Sequence, residues 1–149
     1  MQLEPKIIEG GSAADDRGTL AFANAFDFVG VKRFYKIVNF STETIRAFHG
    51  HLKEAKYVYV VQGAAIFAAV RMTDPKSPSK DIRPGRWVLS GDKPGILYIP
   101  AGYANGFRAV LPGTQIMFFS TSTLEESKGD DYRFPADYWG AHIWQVENR

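Results

Sequence analysis

RAFHGHLKEAKYVYVVQG, residues 46–63, holds two of the chain's three histidines and divides into two strand-like halves around a polar break. TIRAFHGH (44–51) and KYVYVVQG (56–63) are short, rich in β-branched and aromatic residues, and separated by Leu52-Lys53-Glu54-Ala55. In a strand, residues i and i+2 share a face, so His49 and His51 point the same way. Lys56 shares its face with Val58 and Val60, and that apolar alternation turns the lysine inward. At this point the H-x-H pair fits metal ligands, a base with a helper, or two solvated side chains on an edge strand.

The same texture continues on both sides. VKRFYKIVNF (31–40), AAIFAAVRM (64–72), GRWVLS (85–90), GILYIP (95–100), NGFRAVL (105–111) and TQIMFFSTST (114–123) all read as strands bounded by turn residues. Many short strands with little helix predict an all-β sandwich or closed barrel, which covers its own sheet edges. TDPKSPSKDIRPG (73–85) and GDKPG (91–95) read as loops. From Leu124 the chain changes character, with acidic residues, five aromatics and room for one short helix. Such a tail is expected to pack on the barrel or on a partner subunit. Asn105-Gly106 also fits a type I′ hairpin turn, and Asp15-Asp16-Arg17-Gly18 a polar turn.

Composition bounds the partners. A chain of 149 residues is expected to form a single domain (1–149) and to bury roughly two thirds of its unfolded surface. With 45% hydrophobic and 14% aromatic residues it is a globular sequence rather than a disordered one. The net charge of +2, with no basic cluster, argues against nucleic acid. The absence of cysteine excludes disulfides, a thiol nucleophile and thiolate metal sites, and fits the cytoplasm. The start has no apolar core of a secretory signal, and Gln62-Gly63 interrupts the longest apolar run, so no membrane span is expected.

The spacing around the histidines is similar to that of metal-binding cupins, small β-barrels whose H-x-H is followed by a glutamate and later a third histidine. Here Lys56 stands at the glutamate's place and Asn105 at the last histidine's. An ammonium repels a divalent ion and an amide is a poor substitute for imidazole, so no metal is expected; no cofactor of another kind is expected either. An ammonium beside neutral imidazoles instead suits an enolate-forming substrate. The lysine would stabilise charge on a carbonyl oxygen while a histidine takes the proton from the adjacent carbon.

Five blocks, in order, resemble the dTDP-4-dehydrorhamnose 3,5-epimerase family: DDRG (15–18), NFS (39–41), RAFH (46–49), KYVYVVQG (56–63) and YIPAGYANGF (98–107). The resemblance implies a cupin-type double-stranded β-helix, or jelly-roll barrel, here followed by a short aromatic tail. It implies metal-free epimerisation at C3 and/or C5 of a dTDP-4-keto-6-deoxyhexose, with His49 as the base. Lys56 and Arg46 match positive groups near the C4 oxygen and the substrate, and Asn39 a sugar contact. Arg17 matches a phosphate-contacting arginine supplied by the neighbouring subunit, which implies a homodimer with a nucleotide-linked keto-deoxy sugar as ligand. Polysaccharide biosynthesis is the family's usual setting.

The pattern also departs from that family. Phe118 and Thr123 stand where it has tyrosines, Asn105 replaces a second active-site histidine, and the carboxylate that pairs with the base belongs to a longer C-terminal region. Tyr35 and Tyr103 are the candidate substitute acids. KRFY (32–35) and HGH (49–51) are similar to elements of the dTDP-4-keto-6-deoxyglucose 3,4-ketoisomerases, in which one base moves a proton along one sugar face and His51 acts beside His49. A sugar-binding cupin without chemistry is the third reading. His142, in the tail, is expected to be structural.

Overall fold

The computed structural model describes residues 3–149. Twelve strands run in order: β1 Lys6–Glu9, β2 Gly11–Asp15, β3 Gly18–Phe22, β4 Arg33–Ile37, β5 Ile45–His51, β6 Lys56–Gln62, β7 Ala64–Arg71, β8 Gly85–Ser90, β9 Gly95–Ile99, β10 Tyr103–Ala109, β11 Gln115–Ser120 and β12 Tyr132–Arg133. Between β11 and β12 lies a short helix, α1 Leu124–Lys128, and a 3-10 turn spans Ala141–Trp144.

Two five-stranded antiparallel sheets face each other, ordered β1-β9-β6-β11-β4 and β12-β5-β10-β7-β8, and β2 and β3 form a separate hairpin. The all-β jelly-roll expectation therefore holds. Period-2 alternation fixes which side chains enter the sandwich. Val58 and Val60 of β6, Ile116 and Phe118 of β11, and Leu97 and Ile99 of β9 meet Phe67, Ala69 and Phe107 from the other sheet. Burying a side chain of this size stabilises the fold by about 1.5–3 kcal/mol.

The alternate residues of the second sheet face outward into a second core. Phe48, Ile66, Ala68, Val70 and Ala104 pack there against Phe134, Trp139, Ile143 and Trp144 of the tail. Trp139 stands edge-on to Phe48, ring centroids 4.8 Å apart. Hydrogen bonds from Tyr138 Oη to the Pro78 carbonyl (2.7 Å) and from Trp139 Nε1 to the Ser79 carbonyl (3.0 Å) tie the tail to the proline-rich loop.

Two local readings change, and a stretch with no expected strand gains three strands around the expected polar turn. The N-terminal region forms β1–β3, with Asp16-Arg17 as the β2–β3 turn. The Val31–Phe40 stretch narrows to Arg33–Ile37. Asn105-Gly106 is no hairpin turn. It lies inside β10, where the ladder to β5 shifts register, and a Cβ on Gly106 would come within 2.3 Å of Ala47 Cβ. Glycine there permits close strand approach rather than a reversal. The real β6–β7 turn uses Gly63, at φ +84°.

Candidate functional site

One end of the sandwich opens into a cavity of about 300 Å³ lined from both sheets and from the start of the tail. β5 supplies Arg46, His49 and His51, β10 supplies Asn105, β6 supplies Lys56, and β4 supplies Tyr35. Because β5 pairs with β10 in register, His49 lies opposite Asn105 and His51 opposite Tyr103. Lys56 is the first residue of its strand and continues the inward row of Val58 and Val60, so its stem is core while its ammonium reaches the cavity.

The two histidines differ in their surroundings. The His51 ring is 6% exposed, its Nδ1 donates to the Asp130 carbonyl, and the same nitrogen lies 3.2 Å from Glu54 Oε2. His49 makes no ring hydrogen bond among the described residues; the amide of Asn105 donates to its backbone carbonyl at 3.2 Å. Burial and the Lys56 ammonium hold both imidazoles below their usual range, with Glu54 opposing the shift at His51. Both are therefore neutral at pH 7. Burial also lowers Lys56, again opposed by Glu54. Tyr35 is pushed well above the ordinary phenol range by burial and by the Glu54 charge, so its hydroxyl keeps its proton.

Arg46 Nε donates to Asn39 Oδ1 at 2.7 Å, so Asn39 orients a cavity arginine rather than lining the cavity itself. Two other sequence candidates lie elsewhere in the chain. Arg17 is on the exposed β2–β3 turn, paired with Asp15. Tyr103 packs against the inter-sheet core and lines a separate groove beside Arg71 and Trp87.

The sequence reading left out Ser127, Asp130 and Arg133, and it set Glu54 aside as out of register for a metal ligand. Glu54 is fully buried, its oxygens receiving Ser120 Oγ (2.5 Å) and Ser127 Oγ (2.8 Å), with Arg33 Nη2 at 3.4 Å. Asp130 accepts from the backbone amides of Leu52, Lys53 and Glu54, at 2.7, 2.8 and 3.1 Å. The tail thus does more than cover the barrel. Helix α1 begins in a capping box between Thr123 and Glu126, and β12 then pairs with β5, placing Arg133 opposite His49 at the cavity. Asp131 and Lys128 line the same opening. The only legible signal was the Thr-x-x-Glu of the cap, which marks a helix start and says nothing of the wall it builds.

The donor set does not suit a divalent ion, since the Lys56 ammonium projects among the imidazoles. Among the described residues no group of three or more His, Asp or Glu side chains is placed to hold a metal. No described helix is long and apolar enough to cross a membrane.

Residues 4–136 match the family model described as dTDP-4-dehydrorhamnose 3,5-epimerase. Among solved structures, the RmlC epimerase of Mycobacterium tuberculosis is similar with a TM-score of 0.73 at 18% identity, over 96% of this chain and 73% of that one. A 3'-monoepimerase from Streptomyces bikiniensis, in complex with dTDP-quinovose, gives 0.73 at 17%, over 89% and 71%. A 3,4-ketoisomerase from Helicobacter canadensis gives 0.68 at 16%, over 93% and 96%. At these identities the likeness carries the fold. No curated protein matches the sequence significantly.

Proposed function

The chain belongs to the dTDP-4-dehydrorhamnose 3,5-epimerase family and is a nucleotide-sugar isomerase, and from that premise we propose that it epimerises a dTDP-linked 4-keto-6-deoxyhexose by metal-free enolisation. The observation that supports this is the convergence of two neutral imidazoles and one buried ammonium in a single cavity. His49 removes the proton from the carbon beside the C4 ketone. The electron pair moves into the new carbon–carbon double bond, and negative charge collects on the C4 oxygen beside Lys56. Reprotonation from the opposite face, by the Tyr35 hydroxyl, inverts the centre. Arg46, held by Asn39, and Asn105 orient the sugar.

The nucleotide's phosphates extend toward Arg17 of a second copy in a homodimer. In support of that assembly, the outer face of the β1-β9-β6-β11-β4 sheet carries Phe34, 66% exposed, and next to it Phe119 and Phe28. Such an aromatic sheet face is a natural self-association surface.

A second reading is 3,4-keto transfer. It is favoured by the fixed ring of His51, a second same-face base able to carry a proton between adjacent carbons through an enediol without an opposite-face acid.

The test is NMR in D2O with dTDP-4-keto-6-deoxyglucose, alongside a His49→Ala control. Deuterium at C3, or at C3 and C5, with the ketone still at C4 supports epimerisation. A ketone appearing at C3 supports keto transfer. Equal inertness of wild type and control toward this and other nucleotide-linked keto sugars overturns both.

A further inference from the structure

The Glu54 carboxylate is enclosed, and a buried charge is costly unless its lone pairs are met. Among the described residues its ion-pair partner besides the His51 ring is Arg33, a quarter exposed and 3.4 Å away, while the Lys56 ammonium acts on it through space. What holds the carboxylate is a pair of hydroxyls, Ser120 on β11 and Ser127 on α1, and these fix it against the ring of His51. The Asp130 carbonyl, which can only accept, faces the same ring nitrogen. The carbonyl takes the hydrogen bond and the Glu54 carboxylate stands beside it at ion-pair distance, so Nδ1 must carry the proton. Nε2, which makes no hydrogen bond to a described residue, is then the unprotonated nitrogen at the cavity.

We propose that Glu54 is the positioning carboxylate of His51: with the Asp130 carbonyl it keeps the proton on Nδ1, so that Nε2 is a second proton acceptor beside His49. This rests on the isomerase reading. In the step itself Nε2 takes a proton from carbon, the electron pair stays on the enolate, and the resulting imidazolium is stabilised by Glu54 at its far side. The arrangement follows the logic by which a buried carboxylate orients a catalytic histidine. Here the carboxylate comes from the β5–β6 turn, three residues after the histidine it serves.

The groups facing His51 are Lys56 on β6, Tyr103 on β10, His49 on its own strand, Asp130 after α1, and Glu54, itself backed by Arg33 and near Tyr35 on β4. Lys56 and burial disfavour the imidazolium and Glu54 favours it. Removing the Glu54 charge therefore makes His51 a weaker base.

The test uses histidine-labelled enzyme and long-range proton–nitrogen NMR, which reads tautomer and titration without substrate, together with solvent-exchange rates on the keto sugar. Wild-type His51 is expected in the Nδ1–H form. In Glu54→Gln its midpoint falls by about one pH unit, the exchange rate drops about tenfold, the acid limb moves to lower pH, and KM is unchanged. Glu54→Asp restores part of the rate. An Nε2–H tautomer in the wild type, or a Glu54→Gln enzyme whose His51 titrates as before, overturns the proposal. Should Glu54→Gln fail to fold, the wild-type tautomer and the Glu54→Asp titration decide it. An enzyme inert to every keto sugar removes the isomerase reading, while the NMR still decides whether Glu54 orients His51.

Discussion

The ring of Tyr35 lies flat on that of Phe118, centroids 5.1 Å apart and planes inclined by 8°. The two residues are register partners across β4 and β11. The sequence resemblance sets Phe118 at the place of a family tyrosine, and the phenol stacked on it comes from the adjoining strand. Tyr35→Phe keeps the stack and removes only the hydroxyl. Inversion is expected to fall about 10²- to 10³-fold, with deuterium uptake at C3 reduced far less. Product NMR separates the two rates, and an unchanged melting temperature confirms that only chemistry is affected.

Lys56 predicts opposite signs for activity and stability. Its ammonium has no hydrogen bond or ion pair among the described residues, and burial already disfavours its charge. Lys56→Met retains the stem's volume in the core and deletes the charge. Activity is expected to fall about 10²- to 10³-fold, the usual loss for one group stabilising an oxyanion. Stability to urea is expected to stay level or rise, because an apolar replacement of a buried charge is often neutral or stabilising. A loss of both together would make Lys56 structural.

Strands were legible wherever burial imposed alternation, as in β6, where Lys56, Val58 and Val60 turn inward and Tyr57 and Tyr59 outward. β2 and β3 were not, because they form a detached hairpin with hardly any buried residue to impose a period. The half of the site carried on β5 and β6 was legible for the same reason as those strands. Glu54 was not, since it sits in the break between them, where no periodicity assigns a face. Asp130 and Arg133 were hidden more deeply: their places depend on β12 pairing with β5 across about 80 residues of chain, a long-range contact without local pattern.

The tail is expected to support both stability and the site. Trp144 is 2% exposed, its Nε1 donates to the Ala136 carbonyl at 2.8 Å, and its own carbonyl accepts from Arg108. Its ring lies 5.4 Å from that of Phe48, the residue before His49. Trp144→Ala is expected to cost about 3–5 kcal/mol, which for a chain of this size lowers the melting temperature by about 10 °C. Calorimetry measures it. Turnover measured well below that melting point is expected to fall as well, since Phe48 loses its backing.

If the exposed aromatic face joins two copies as proposed, one charge placed on it should separate them. Phe34→Glu is expected to convert dimer to monomer in sedimentation while leaving the far-ultraviolet dichroism intact, because Phe34 points away from the inter-sheet core. If Arg17 completes the neighbouring site, the same variant raises KM for the nucleotide sugar. A monomeric wild type with full activity would remove the cross-subunit contact.

The depressed histidines fix the direction of pH dependence. A proton acceptor must be neutral, and both imidazoles are held below the usual range of about 6.5. Activity should therefore stay level as pH falls through 6.5 and decline only below it. Stability behaves differently. Between the lowered folded-state values and about 6.5 the unfolded chain binds protons that the folded chain refuses, so the free energy of unfolding decreases as pH falls through that window. Below the folded-state values this contribution levels off. Urea midpoints at descending pH are expected to drop in that window, while activity at the same pH is still retained. In a His49→Gln, His51→Gln double variant the drop should shrink. An unaltered profile in that variant would place the transition on groups other than these two histidines.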